Sequence, residues 1–304
     1  MSPSSPIVVF DSGLGGLTVV RALRTALPQE DVLYFGDTAR LPYGSKSNET
    51  VTTFVRQIIA YLRPYEPKHV VIGCNTATAM ALSAVRNDFP ELSISGVIEP
   101  GARAAAEAAG TKEYPLIGII ATEGTIRSKA YEVAIHKRRA RARLLFRPTP
   151  LLVPLIEEGR SLDDPVTKLA LKQYLLPMYQ RGMDVLVLGC THYPILKGLI
   201  QRMVGKTVAV VDSAEACAED VARRLRAGGL LRGDRDHPGS LRCFVTDNTP
   251  RFSVLAQRFL GMETGEPTLV GVDELHRAGD AAVAAALSNT GGRIVDSVGE
   301  KECA

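Results

Sequence analysis

The sequence contains no apolar stretch that approaches the roughly 20 residues needed to span a bilayer. Residues 1–6 are short and polar, so they lack the charged and apolar regions of a secretory signal. These two absences argue against an integral membrane protein and against a secreted one. We therefore expect a soluble, cytoplasmic protein with no membrane partner.

Cysteine is scarce, and its spacing argues against two common structural roles. The cysteines are odd in number and far apart, with no C-x-x-C pair and no histidine at a zinc-finger spacing. We therefore expect neither a disulfide framework nor a bound metal. Each thiol is then either a buried apolar filler or a reactive group. The five are Cys74, Cys190, Cys217, Cys243 and Cys303.

A strong charge of one sign is also missing. Lysine and arginine number 36 against 33 aspartates and glutamates, which leaves a net charge of +3. This balance argues against a nucleic-acid partner, because such proteins carry a clear basic excess. The densest basic run, residues 136–143, is interpreted as a solvated helix end.

Short apolar runs do alternate with amphipathic segments along most of the chain. Continuous apolar runs bounded by Gly, Asp or Asn are typical of the buried strands of a parallel sheet, so we predict an α/β protein. The length of 304 residues favours two lobes. The predicted strands are residues 7–10, 32–35, 70–72, 93–97, 116–120, 185–188, 208–211, 241–245 and about 268–272. The predicted helices are residues 17–26, 48–62, 77–87, 101–109, 128–137, 165–181, 214–227 and 250–260.

One pattern occurs twice. Residues 70–76 and 186–192 each comprise an apolar strand, a glycine, a cysteine and small hydrogen-bonding residues that open a helix. A repeat of this size suggests two related lobes. Ligands of open α/β sheets bind beyond the carboxyl ends of the strands, where both cysteines would lie. If the lobes face each other, the two thiols share one cleft.

These two cysteines stand where a thiol gains reactivity. A helix N-terminus lowers the pKa of a thiol, so we predict a lowered pKa for both. The residues that follow, Asn75, Thr76, Thr191 and His192, can bind a polar ligand or tune the thiols. His192 also suits a general acid or base, although a helix-capping histidine would fit the same position.

A glycine-rich turn follows the first predicted strand at residues 11–16. It lacks the Lys-Ser/Thr of a P-loop and the G-x-G-x-x-G spacing of a dinucleotide fold, so a nucleotide cofactor is weakly supported. Asp11 would repel phosphate and better suits an ammonium group or a proton transfer. The segment 34–44 is, by composition alone, a loop of turn residues.

Six motifs appear in one order, which is far more specific than any one of them. They are Asp-Ser-Gly-x-Gly-Gly at 11–16, Gly-Asp-Thr-Ala-Arg-x-Pro-Tyr-Gly at 36–44, Gly-Cys-Asn-Thr-Ala at 73–77, Thr-x-Gly-Thr at 122–125, Val-Pro-Leu-x-Glu at 153–157 and Gly-Cys-Thr-His-Tyr-Pro at 189–194. From about residue 7 to residue 272, the chain resembles the glutamate racemase family, within the aspartate/glutamate racemase superfamily.

The resemblance implies two pseudo-symmetric lobes, each a mainly parallel sheet flanked by helices, with the active site between them and no cofactor. Lobe A would comprise residues 1–97 plus 212–288, and lobe B residues 98–211. The tail, residues 289–304, receives no role. Many relatives carry a third cysteine where this chain has Thr149, a position without assigned chemistry.

The resemblance also implies the site residues. The implied catalytic residues are Cys74, Cys190, Asp11, His192 and Glu157. The implied substrate contacts are Asp11, Ser12, Pro42, Tyr43, Gly44, Asn75, Thr76, Thr125, Thr191 and His192. Asp37 is implied as a supporting group, and Asp11 and His192 would tune the thiols.

The implied function is cofactor-independent racemisation of glutamate, which would supply D-glutamate for peptidoglycan. Two opposed thiols suit this chemistry, because a proton must leave one face of Cα and another must arrive on the opposite face. Three alternatives remain open: racemisation of aspartate or another acidic amino acid, a Cys-dependent hydrolase or amidotransferase with His192 as base, and a non-catalytic amino-acid-binding module. The oligomeric state stays open and includes a homodimer.

Overall fold

The computed structural model describes residues 2–160, 162–234, 238–248 and 252–291. Cys303, Pro250 and most of the 289–304 tail lie outside these ranges. Within them, ten strands form two sheets, and every strand pair is parallel. The strands are β1 (Ile7–Asp11), β2 (Val32–Gly36), β3 (His69–Ile72), β4 (Ile94–Gly96), β5 (Leu116–Ala121), β6 (Arg143–Pro148), β7 (Val185–Gly189), β8 (Ala209–Asp212), β9 (Leu241–Val245) and β10 (Thr268–Leu269).

The two sheets share one strand order. The first sheet runs β10-β9-β2-β1-β3-β4 and the second runs β6-β5-β7-β8. In both, the first strand in sequence lies between the second and the third, and the fourth lies outside the third. The first sheet adds β9 and β10 beyond β2. The predicted pair of pseudo-symmetric α/β lobes is therefore confirmed, and each cysteine of the repeat follows the third strand of its sheet.

Helices connect the strands and cover the sheets. They are α1 (Leu17–Ala26), α2 (Asn48–Leu62), α3 (Asn75–Asp88), α4 (Ile98–Ala108), α5 (Glu123–Arg127), α6 (Ala130–His136), α7 (Leu152–Glu157), α8 (Pro165–Tyr179), α9 (Lys197–Val204), α10 (Ser213–Ala227), α11 (Phe252–Leu260) and α12 (Val272–Gly291). Short 3₁₀ turns occupy Tyr43–Ser45, Arg63–Tyr65 and Tyr193–Leu196. No helix in the described ranges is long and apolar enough to cross a membrane.

Two predicted elements were wrong in detail. The helix predicted over 128–137 begins only at Ala130, because Lys129 has a positive φ of 58° and separates it from the short helix α5, which was not predicted. The basic run predicted as a solvated helix end does begin at the end of α6, but it then leads into β6, a half-buried edge strand that was not predicted. The last strand stops at Leu269 because α12 begins at Val272.

The two sheets share a hydrophobic core. Its largest cluster joins Ile7 and Val9 of β1 to Leu186 and Leu188 of β7, with side chains of α1 and α10 among them. α10 packs against both α1 and α4, and so contacts helices that flank different sheets. The lobe boundaries at 97, 211 and 288 therefore stay a prediction, because the core runs across them.

A buried ion pair supports the first sheet. The Lys68 side chain is 0% exposed, and its ammonium contacts the Glu30 carboxylate and donates to the Pro3 carbonyl at 2.6 Å. Glu30 also accepts a hydrogen bond from the Arg232 backbone N–H at 2.9 Å. Removing one charge of such a pair leaves the other buried and uncompensated, which is more costly than replacing both.

We expect Lys68→Met to lower the free energy of unfolding by about 3–5 kcal/mol, and the double variant Lys68→Met/Glu30→Leu to regain most of that loss. Urea denaturation measures both. Arg56→Met is the control: it breaks an ion pair with Asp88 whose side chains are 47% and 35% exposed, and should cost at most about 1 kcal/mol. Equal losses in the Lys68 and Arg56 variants would contradict this assignment.

Candidate active site

A small cavity of about 80 Å³ lies at the carboxyl ends of β1, β3 and β7, where the two sheets face each other. It is lined by Ser12, Gly13, Leu41, Pro42, Tyr43, Gly44, Cys74, Asn75, Thr76, Thr122, Val153, Glu157, Cys190, Thr191 and His192. A wider depression of about 840 Å³ lies where α12 meets the end of α2, but no thiol, imidazole or amide side chain lines it. The small cavity is therefore the candidate active site.

Cys74 is the N-cap residue of α3. Its Sγ accepts a hydrogen bond from the Ala77 backbone N–H at 3.4 Å and donates to the Ser12 hydroxyl at 3.5 Å. Burial and the neighbouring Asp11 carboxylate nevertheless raise the pKa of Cys74 to about 12. The lowered pKa predicted for this thiol is therefore wrong, because burial outweighs the donors at the helix terminus.

Cys190 follows β7 in the same way, but its surroundings differ from those of Cys74. The chain continues into the 3₁₀ turn Tyr193–Leu196 and only then into α9, so no α-helix begins at this thiol. Its Sγ lies 3.8 Å from Nδ1 of His192. The partner of this thiol is thus an imidazole, whereas the partners of Cys74 are a hydroxyl and a backbone N–H.

His192 is held between Cys190 and Glu157. Its Nε2 lies 2.9 Å from Glu157 Oε1, and its ring meets Phe259 edge-on with the ring centroids 5.1 Å apart. Burial lowers the pKa of His192, but its hydrogen bonds to Cys190 and Glu157 and the charges of both partners raise it to about 10. His192 is therefore a cation at neutral pH, and it stabilises negative charge on Cys190.

Asp11 ends β1 beneath the glycine-rich turn. Its Oδ2 accepts hydrogen bonds from the backbone N–H groups of Gly13 at 3.2 Å and Gly16 at 2.9 Å, while its Oδ1 is buried without a partner. Burial raises the pKa of this carboxyl, and the His192 charge and the backbone donors oppose the rise. Asp11 thus keeps one acceptor oxygen unused beside Cys74.

Polar side chains from both sheets meet on one wall of the cavity. The Asn75 amide accepts from the Tyr131 hydroxyl at 2.8 Å, and its buried Nδ2 has no partner. The hydroxyls of Thr76, Thr122 and Thr125 lie within 3.3 Å of one another, with Thr76 and Thr122 on the cavity surface. This wall offers donors to a carboxylate.

The segment that begins after β2 closes one side of the cavity. The Tyr43 hydroxyl donates to Asp37, whose carboxylate also accepts from Arg40 Nε at 2.8 Å and from the Thr246 hydroxyl at 3.0 Å. Asp37 is fully buried and lies behind the cavity wall. It therefore orients Tyr43, while Tyr43 and the neighbouring Pro42 and Gly44 face the cavity.

The turn after β1 and the loop after β7 approach each other closely. A Cβ at Gly15 would lie 2.5 Å from both Thr191 Oγ1 and His192 Nδ1. The hydroxyl of Thr18, the second residue of α1, donates to the Thr191 carbonyl at 2.8 Å. Glycine is required at position 15 for space, since a Cβ there would displace the side chains of Thr191 and His192.

The structure thus brings together most of the predicted site residues. Asp11, Asp37 and Thr125 lie behind the lining residues, and the other predicted residues line the cavity. Gly13, Leu41, Thr122 and Val153 also line it and were not assigned to the site; Thr122 could have been found as the N-cap threonine after the predicted strand 116–120. Cys217 and Cys243 are buried in the core, and Thr149 bonds the Tyr193 hydroxyl at 2.6 Å.

Metal ligands are not clustered here. Within the ranges that the structure describes, no three His, Cys, Asp or Glu residues are grouped so that they could hold a metal ion. The chemistry available to the cavity is therefore that of two thiols, an imidazolium, two carboxylates and hydrogen-bond donors.

Comparison with known proteins gives the same picture. The model of the Asp/Glu/Hydantoin racemase family matches residues 17–221. A glutamate racemase of Geobacter metallireducens is 45% identical over 89% of this chain and 98% of its own, and one of Neisseria meningitidis is 47% identical over 84% and 93%. The crystal structure of a Francisella tularensis glutamate racemase in complex with D-glutamate has a TM-score of 0.81 at 35% identity, covering 89% of this chain and 99% of its own.

The twofold repeat of strand order, the paired thiols in one cavity and these similarities agree. The chain belongs to the glutamate racemase family.

Proposed function

We propose that this protein interconverts L- and D-glutamate by moving the α-proton between Cys74 and Cys190. One observation carries the proposal: the two thiols follow the third strand of each sheet and line one small cavity. A hydrolase needs a single nucleophile, and a binding module needs none. Two thiols in one cavity, each from a different sheet, suit a reaction that exchanges protons on both faces of one carbon.

The two thiols lie in different electrostatic surroundings. His192 is a cation next to Cys190 and favours its thiolate, which can accept a proton from Cα. The raised pKa of Cys74, about 12, keeps that thiol protonated and able to deliver a proton. With Cys190 as base and Cys74 as acid, the arrangement suits L-glutamate if Cys190 faces its α-hydrogen, as the family resemblance implies, and D-glutamate requires the reverse roles.

The carbanion formed at Cα is stabilised by groups already in place. The free Nδ2 of Asn75 and the cavity-facing hydroxyls of Thr76 and Thr122 can donate to substrate carboxylates. The substrate ammonium can lie near the unpartnered Oδ1 of Asp11, where its charge would also favour thiolate at Cys74. The chain's own residues thus supply the acid, the base and the electrostatic stabilisation.

The preference for glutamate rests on the relatives. Those compared above are named glutamate racemases, and one was solved with D-glutamate. By family resemblance, the protein would act in the cytoplasm and supply D-glutamate for peptidoglycan. A homodimer is compatible with this role.

The direct test incubates purified protein with L-glutamate or L-aspartate, without added cofactor, and resolves the products by chirality. We expect D-glutamate from the first substrate and little turnover of the second. Cys74→Ala and Cys190→Ala should each lower racemisation by at least about a thousandfold, since general acid–base catalysis contributes about 10²–10⁴ and both thiols are needed. Cys217→Ala, a buried thiol away from the cavity, is the control. Near-normal activity in either of the first two variants, when folded, would refute the scheme.

The source of the new hydrogen gives a second test. If one thiol removes the α-proton while the other delivers a solvent-derived hydrogen, D-glutamate formed in D₂O should carry deuterium at Cα from the first turnovers. Unreacted L-glutamate should stay largely protiated. Initial-rate mass spectrometry on the separated enantiomers measures both. Predominantly protiated early product would point to a single base.

The Glu157–His192 pair gives a third test. Glu157→Gln removes the charge that helps to raise the pKa of His192 to about 10, so this pKa should fall toward 6.5. Above the new pKa, His192 is neutral and the Cys190 thiolate loses its cationic partner. The alkaline limb of the kcat/KM–pH profile should therefore move to lower pH. An unchanged limb would mean that His192 does not control the thiolate.

A further inference from the structure

α11 belongs to the first sheet by connection but reaches the second sheet at its last turn. It lies between β9 and β10 in the sequence and packs against α1. The guanidinium of Arg258 donates from Nη1 to the Ile156 carbonyl at 3.2 Å, and from Nη2 to the Arg160 carbonyl. Arg258 thus bonds to the backbone on both sides of Glu157, from an element on the other side of the active-site cleft.

The two carbonyls belong to a segment that has little support of its own. α7 spans only Leu152–Glu157 and has no side-chain N-cap, and helices this short are not stable in isolation. The chain turns at Gly159, whose φ is 78°, before Arg160. An external donor to the end of α7 therefore helps to fix where Glu157 points.

The contacts of Arg258 are those of a side chain that stabilises the backbone of a neighbouring segment. Among the residues that the structure describes, no carboxylate forms an ion pair with Arg258, and its hydrogen bonds go to main-chain oxygens. Burial lowers the pKa of its guanidinium. Carbonyls at a helix C-terminus attract a cation through the helix dipole.

The next residue touches the other member of the pair. Phe259 meets the His192 ring edge-on, with a centroid separation of 5.1 Å and an interplanar angle of 86°. Consecutive residues of α11 therefore contact the segment that carries Glu157 and the ring of His192. The end of α11 thus contacts both sides of the hydrogen bond between Glu157 and His192.

We propose that Arg258 is a positioning residue that holds Glu157 against His192, and so sets the protonation of His192 beside Cys190. The proposal rests on the proposed racemase function for its catalytic consequence, but the geometry it invokes can be measured without turnover.

The direction in which the His192 pKa moves when Arg258 is replaced distinguishes a positioning role from a direct effect of the Arg258 charge. The titratable and charged groups that act on His192 are Cys190 in its own loop, Glu157 on α7 and Asp11 at the end of β1. Removing a nearby positive charge would, by itself, raise the pKa of His192. Releasing Glu157 would lower it, because the neighbouring carboxylate favours the imidazolium.

The experiment compares Arg258→Met and Arg258→Lys with the unaltered protein. The His192 pKa is measured by NMR titration of the imidazole, with its signals assigned by their loss in His192→Asn. We expect the pKa to fall in Arg258→Met by at least about one unit, in the direction of Glu157→Gln, and to fall less in Arg258→Lys, which keeps a cation but loses the two-pronged donor. Arg242→Met is the matched control, because that arginine lies over the rings of Tyr65 and Phe244, away from the cavity.

The racemase activity of the same variants is a second measurement, independent of the NMR titration. In Arg258→Met, kcat/KM should drop about tenfold and the alkaline limb of its pH profile should move down, since misplacing a supporting group costs up to about a hundredfold. If Arg258→Met fails to fold, Arg258→Lys carries the test, with an intermediate fall in the His192 pKa. A His192 pKa that rises or stays constant in the folded variants overturns the proposal. A fall of this pKa in a protein that does not racemise glutamate would support the positioning role and refute the proposed function instead.

Discussion

The contact between the turn after β1 and the loop after β7 is the constraint on which the active site depends. The two walls of the cavity come from different sheets, and this contact sets their separation. Gly15 leaves no room for a side chain against Thr191 and His192, and Thr18 bonds the Thr191 carbonyl across the same gap. The shared core beneath, from β1 to β7, makes the spacing stiff. The distance between the two thiol-bearing walls therefore depends on this contact.

A symmetric scaffold here supports unequal chemistry. The strand order is the same in both sheets, and each thiol follows the third strand. Cys74 caps an α-helix next to the Asp11 carboxylate, while Cys190 precedes a 3₁₀ turn next to the His192 cation. A neighbouring carboxylate opposes negative charge on a thiol, whereas a neighbouring cation stabilises it. The repeat thus provides the geometry for two faces of one carbon, and the residues around each thiol divide the roles of acid and base.

The sequence alone predicted most strands and the shared cleft, because short local patterns of residues determine both. Continuous apolar runs predicted the buried strands, and two Gly-Cys turns predicted the shared cleft, since side-chain type and spacing decide both. β6 was missed because an edge strand keeps exposed arginines and so lacks a continuous apolar run.

Properties that depend on contacts between residues far apart in the sequence could not be predicted from it. The raised pKa of Cys74 depends on how deeply the folded chain buries it and on the distance to Asp11. The bond between Arg258 and Ile156 joins residues 102 positions apart, and no pattern near either one indicates it. The precise outline of the cavity, including Val153 and Leu41, likewise follows from packing between sheets.

The unequal surroundings of the two thiols meet a thermodynamic limit under the proposed function. Mirror-image amino acids have equal free energy in water, so the equilibrium constant of racemisation is one. The ratio kcat/KM must then be the same in both directions, however different Cys74 and Cys190 are. The difference between the two thiols can therefore appear only in kcat and KM taken separately. The enantiomer that needs the less populated protonation state of the enzyme has the higher KM and, in proportion, the higher kcat. An enzyme with two unlike bases can thus have different KM values for the two enantiomers, although its kcat/KM is the same for both.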